Sequence, residues 1–82
     1  MKYIVKDLGD DYYPYLCVYY LSTKDNIDNV IWDSNLLTDN PKIFNSQQRA
    51  NETISYLIDN GFVSDSSLYV IINYEEELKC ML

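Results

Sequence analysis

Hydrophobic residues recur with two different periods along the chain, and the period changes near residue 45. Before that point they alternate with other residues in short segments, which is typical of β-strands, whereas the spacing after it indicates an α-helix. The predicted strands of the first half are 2–7, 12–21 and 29–33. The strand at 12–21 has apolar or aromatic residues on both faces, so we expect it inside the sheet.

The helix is predicted to begin after Asn45 or Ser46, both good N-cap residues, and to end at residue 59. Gly61 supplies the left-handed residue that commonly follows a helix. The helix carries one apolar stripe, made of Ala50, Ile54, Leu57 and Ile58. A last strand is predicted at 68–74, and residues 78–82 fit a short helix, a strand extension or a docked tail.

The element order β-β-β-α-β predicts an α+β fold, an antiparallel sheet of about four strands with one helix packed on one face. At 82 residues the chain is expected to form a single domain, 1–82. Because one helix covers one face, we expect the other face to expose tyrosine and isoleucine side chains, which favours contact with a partner.

Composition and charge narrow the classes of function. Thirteen acidic and six basic residues give a net charge of −7, which disfavours direct binding of nucleic acid or an anionic membrane. The chain has no histidine, the commonest general base and metal ligand, and its two glycines do not form a phosphate-binding loop. The carboxylates lack calcium-loop spacing. We therefore expect no enzyme activity, no metal and no cofactor.

The two cysteines and the absence of long apolar runs indicate in which cellular compartment the protein is expected. No stretch near the N-terminus resembles a signal peptide, and no run approaches the length of a membrane helix. We therefore expect a cytoplasmic protein in which Cys17 and Cys80 are free thiols.

Two segments combine acidic and aromatic residues and are the candidate partner-binding site. Residues 57–82 contain five acidic residues and one basic residue, so they carry −4 of the total charge. Tyrosine is enriched at protein interfaces, and the nine tyrosines exceed what so small a core can bury. The alternative for the glutamates is a solvated strand end that prevents pairing at the sheet edge. The candidate residues are Asp10, Asp11, Tyr12 and Tyr13 at the first turn, and Glu75, Glu76 and Glu77 after the last strand.

A resemblance is carried by the segment 2–5, by Tyr15 and Leu16, by Trp32 and by the segment 42–50 that leads into the helix. In these features and in size and charge, the chain resembles small acidic bacteriophage and mobile-element proteins of the anti-CRISPR or anti-defence inhibitor type. The resemblance implies a non-enzymatic protein of the host cell cytoplasm. Such a protein binds and inhibits a larger basic protein, such as a nucleic-acid-processing defence enzyme or host nuclease complex. The alternative is a self-associating structural or adaptor module, a homodimer formed through the helix-free aromatic sheet face.

Overall fold

In the part of the chain that the structure describes, the fold consists of four antiparallel strands and two helices, which confirms the α+β prediction and adds one helix to it. The computed structural model describes residues 1–10, 12–20, 27–36 and 41–82. The elements are β1 (Tyr3–Asp7), β2 (Tyr15–Tyr20), β3 (Ile27–Asp33), α1 (Gln47–Asp59), β4 (Tyr69–Asn73) and α2 (Tyr74–Met81). The predicted strand at 12–21 begins later than expected, because residues before Pro14 form a turn, and its last predicted residue lies outside the described ranges.

The strand order in the sheet is β3-β2-β1-β4, so β1 and β2 are the inner strands. β1 pairs with β4 along its whole length, from Tyr3 opposite Asn73 to Asp7 opposite Tyr69. Between β1 and β2 the ladder holds one residue pair, Lys6 opposite Tyr15.

A wedge of chain, residues 42–44, fills the space where β1 and β2 diverge. Phe44 and Tyr3 exchange two backbone hydrogen bonds of 2.8 Å, and the Lys42 amide donates to the Leu16 carbonyl at 2.9 Å. These bonds satisfy backbone groups that a regular hairpin would have paired between the strands. The wedge thus joins the two inner strands through a segment from the middle of the sequence.

Helix α1 covers the face of the sheet that carries Val5 and Leu16. Ala50 and Leu57 from the predicted stripe are fully buried there, and Phe44 joins them. The Ser46 hydroxyl accepts a hydrogen bond from the Arg49 amide, and Gly61 has a φ of 75° after the last turn. Both predicted helix boundaries are therefore confirmed.

Helix α2 covers part of the opposite face, which the sequence predicted to be free of helix. Ile4, Tyr15 and Leu36 are buried on that face. The side chains that pack against them include Ile72 from β4 and Leu78 and Met81 from α2. The homodimer, which the sequence offered as the alternative, would therefore have to pack against α2 instead of against a bare sheet face.

Candidate interaction surfaces

The turn between β1 and β2 is built by two aspartates. The Asp7 carboxylate accepts a hydrogen bond from the Gly9 amide at 2.8 Å. The Asp10 carboxylate accepts from the amides of Tyr12 and Tyr13 at 2.9 and 3.0 Å, the local bonding that aspartate favours in turns. The two tyrosine side chains are consequently left in solvent, with Tyr12 80% and Tyr13 54% exposed.

We define the end surface as Leu8, Asp10, Tyr12, Tyr13 and Leu68. The Leu8 amide donates to the Leu68 carbonyl at 2.9 Å, which places two exposed leucines side by side at this end of the sheet. Exposed apolar side chains grouped in this way are typical of a protein-binding site. A depression of about 330 Å³ adjoins them, lined by Lys6, Asp7, Leu8, Asp10, Tyr12, Pro14, Tyr15 and Ser34.

Three of the four residues predicted at the first turn belong to the end surface. They are Asp10, Tyr12 and Tyr13, and the fourth, Asp11, lies outside the described residues. The two leucines were not among the predicted site residues. Leu8 and Leu68 are exposed because they lie just beyond the ends of β1 and β4, and their pairing across the sheet cannot be read from local sequence.

The predicted glutamate cluster begins at the other end of the sheet from the β1–β2 turn. β4 starts beside Asp7 and ends beside Tyr3, so α2, which follows β4, starts at the Tyr3 end of β1 and runs back across the sheet. Glu75, Glu76 and Glu77 form the first turn of α2 instead of a strand end. The structure therefore brings only Glu77 of this segment near the first turn, through its contacts with Lys6 and Tyr15, which line the depression beside the end surface.

Glu77 differs from the other two glutamates because its side chain turns back onto the sheet. Its Oε2 lies 3.1 Å from Lys6 Nζ and accepts a hydrogen bond from the Tyr15 hydroxyl at 3.4 Å. The hydrogen bond to Glu77 raises the pKa of Lys6, and burial together with the Glu77 charge raises the pKa of Tyr15. Glu77 is 18% exposed in its side chain, whereas Glu75 and Glu76 are exposed. Its carboxylate thus links α2 to Lys6 and Tyr15 of the sheet.

A second exposed aromatic surface lies at the end of α1. The rings of Tyr56 and Phe62 stack with centroids 6.4 Å apart, and both side chains are exposed. A shallow groove beside them is lined by polar residues of α1, among them Glu52 and Asp59. Tyr56 lies off the apolar stripe, and that position is the sequence signal for its exposure.

The remaining chemistry of the described residues is limited. Among them, no group of three or more histidine, cysteine, aspartate or glutamate side chains is placed to hold a metal ion. Cys17 is buried and Cys80 is exposed, and neither forms a disulfide bond. Within the same residues no helix has the length and apolar character needed to cross a membrane. Comparison of the chain with protein-family models, curated proteins and solved structures gave no match.

Proposed function

We propose that this protein is a non-enzymatic interaction protein that binds a larger protein with a basic surface, and that the end surface makes the contact. The observation that carries the proposal is the exposure of four apolar or aromatic residues at one end of the sheet of a chain with net charge −7. Tyr12 and Tyr13 lie on the turn that Asp10 builds, and Leu8 and Leu68 are joined by a backbone hydrogen bond beside it. Tyrosine and leucine side chains supply apolar area to bury, and the acidic charge accelerates and orients the encounter.

In its narrower form, the proposal makes the partner a nucleic-acid-processing defence enzyme that the protein inhibits. An enzyme of this kind must carry a basic groove to hold phosphates, and an acidic protein complements that groove. Support for this form comes from the net charge of −7 and from the resemblance to small anti-defence inhibitors.

The acidic residues have different parts in this proposal. Asp10 contacts the partner directly, because it lies on the same turn as the exposed Tyr12 and Tyr13 and binds their backbone amides. Glu75 and Glu76 act at longer range, through the field that steers the partner. Glu77 is excluded from contact, because it is paired with Lys6.

The test begins with capture of the partner from a lysate of the host cells at low salt, repeated at high salt. Affinity for the purified partner is then measured by biolayer interferometry. We expect the double variant Tyr12→Ala/Tyr13→Ala to weaken binding by about tenfold or more, the usual cost of removing interface anchors. Asp10→Asn keeps an oxygen that can accept the two turn hydrogen bonds, so its effect reports the charge alone. We expect this variant to lower the association rate and its dependence on salt.

Tyr56→Ala is the matched control, since it removes an exposed tyrosine from another surface. It is expected to bind as the wild type does. Equal binding by the wild type and the Tyr12→Ala/Tyr13→Ala variant would overturn the assignment of the end surface. A partner without a basic surface would overturn the electrostatic part of the proposal.

A further inference from the structure

The outer edge of β4 has backbone groups that point away from the sheet. The Leu8 amide bonds to the Leu68 carbonyl and the Tyr74 amide to the Lys2 carbonyl, each at 2.9 Å. In an antiparallel ladder such pairs recur at every second residue, so Val70 and Ile72 also direct their N–H and C=O groups toward β1. The N–H and C=O groups of Tyr69 and Ile71 must then point to the other side.

That other side is an open edge in the described part of the sheet, where β4 is the outermost strand. Edge strands usually carry charges, prolines or bulges that prevent pairing with another chain. β3, at the opposite edge, contains two aspartates and pairs through an irregular register at Tyr19 and Tyr20. β4 has the sequence Tyr-Val-Ile-Ile-Asn, which contains neither a charged residue nor a proline.

The three glutamates after β4 do not protect this edge by extending the strand. They belong to α2, whose apolar residues Leu78 and Met81 pack on the face of the sheet next to Ile4. Exposed acidic residues instead flank the edge along the chain, with Asp65 before β4 and Glu75 and Glu76 after it. The edge is thus an uncharged strand between two negative ends.

We propose that β4 accepts an extended segment of a partner protein as a fifth strand, with main-chain hydrogen bonds to Tyr69 and Ile71. The segment that fits is uncharged in its middle and carries lysine or arginine at both ends, facing Asp65 and the exposed glutamates. A second copy of this chain fits less well, because each copy carries a charge of −7 and would bring its own acidic ends to the same edge. The inference shares with the proposed function only the premise that the partner is a protein.

The probe is a nine-residue peptide with alternating threonine and valine in the middle and two lysines at each end. Amide hydrogen exchange of the whole protein is followed by NMR with and without saturating peptide. Protection at Tyr69 and Ile71 is expected to rise by about tenfold or more, because their N–H groups gain an acceptor. Protection at Val70 and Ile72 is expected to stay unchanged, because these amides already bond to β1.

Two control peptides separate backbone pairing from charge attraction. A peptide with N-methyl groups on the amides that face β4 is expected to lose the protection, and one with glutamate in place of lysine is expected to bind more weakly. The variant Ile71→Pro removes an outward N–H group and is expected to abolish the effect, provided that its circular dichroism spectrum is that of the folded protein.

Three outcomes overturn the inference. The first is that the peptide adds no protection from amide exchange at Tyr69 and Ile71, and the second is that the N-methylated peptide protects these amides equally. The third is that their protection rises with protein concentration in the absence of peptide, which would make a second copy of the chain the occupant. None of them alters binding at the end surface, so the two proposals can fail separately.

Discussion

Lys6 and Glu77 are 71 positions apart in the chain, yet Lys6 Nζ and Glu77 Oε2 lie 3.1 Å apart on the face of the sheet covered by α2. The Tyr15 ring lies beneath this ion pair, with its centroid 5.7 Å from Lys6 Nζ. The pair joins β1, an inner strand of the sheet, to the first turn of α2. It therefore fixes α2 against the apolar residues Ile4 and Tyr15.

Glu77→Gln is expected to lower the free energy of unfolding by about 1 kcal/mol, because a partly buried ion pair loses one charge while Lys6 keeps its own. Glu76→Gln is the matched control: it removes an exposed glutamate from the same helical turn, and a change of no more than about 0.5 kcal/mol is expected. Urea denaturation measures both values. Equal losses for the two variants would mean that the helix dipole, and not the Lys6 pair, accounts for the effect.

Alkaline pH is expected to destabilise the protein. The hydrogen bond to Glu77 raises the pKa of Lys6, and burial raises the pKa values of Tyr15 and Tyr69. Groups whose pKa is raised on folding stabilise the protein fully below their ordinary values, near 10, and lose this contribution as the pH rises through the raised values.

The measurement is the free energy of unfolding in urea from about pH 8 to pH 11, a range that spans these ordinary values. Tyr15→Phe is expected to show a shallower decline than the wild type, and Tyr12→Phe, which alters an exposed ring, the same decline as the wild type. If the free energy of unfolding falls with pH equally steeply in Tyr15→Phe and in the wild type, Tyr15 does not contribute to the alkaline loss of stability.

Leu57→Ala is expected to cost about 2 to 5 kcal/mol, because Leu57 is fully buried where α1 packs on the sheet and its removal leaves a cavity. Leu68→Ala deletes the same atoms from an exposed position and is expected to change stability by no more than about 0.5 kcal/mol. Thermal unfolding compares the two. A large loss in Leu68→Ala would show that the end surface supports the fold as well as binding.

The two thiols are expected to react at different rates. Cys80 is exposed on α2 and should be labelled by a thiol reagent in the native protein, whereas Cys17 is buried and should be labelled only after unfolding. Mass spectrometry after a short labelling pulse distinguishes one adduct from two. Rapid labelling of Cys17 in the native protein would contradict its burial in the sheet.

Local signals were enough to predict α1 and the strands. The apolar stripe around Leu57, the cap at Ser46 and the positive φ at Gly61 all depend on residues close in sequence. Helix α2 was not predicted as a unit: Tyr74 was assigned to the last strand, residues 75–77 to its end, and 78–82 to a helix, a strand extension or a docked tail. Eight residues are too few for periodicity to decide between these. A capping signal was nevertheless present, since the Asn73 side chain accepts a hydrogen bond from the Glu76 amide at 3.0 Å.

The residues of the candidate site that lie on one turn could be predicted from the sequence. Those brought together from distant segments of the chain could not. Asp10 builds a turn that leaves Tyr12 and Tyr13 in solvent, and turn chemistry is local. The pairing of Glu77 with Lys6 and the contact of Leu8 with Leu68 arise only when β1 and β4 meet. Charge and composition alone could not separate Glu77 from its two neighbours.

The wedge at residues 42–44 has a consequence for how the chain folds. Because β1 and β2 share one ladder pair, we expect the N-terminal hairpin to be weakly paired on its own and to be completed only when Phe44 pairs with Tyr3. The pairing of β1 with β4 closes a still longer loop, whose entropy must be lost before these contacts form, and such topologies fold slowly. The two halves of the chain thus depend on each other for structure, and a fragment ending before residue 41 lacks the segment that joins its own two strands.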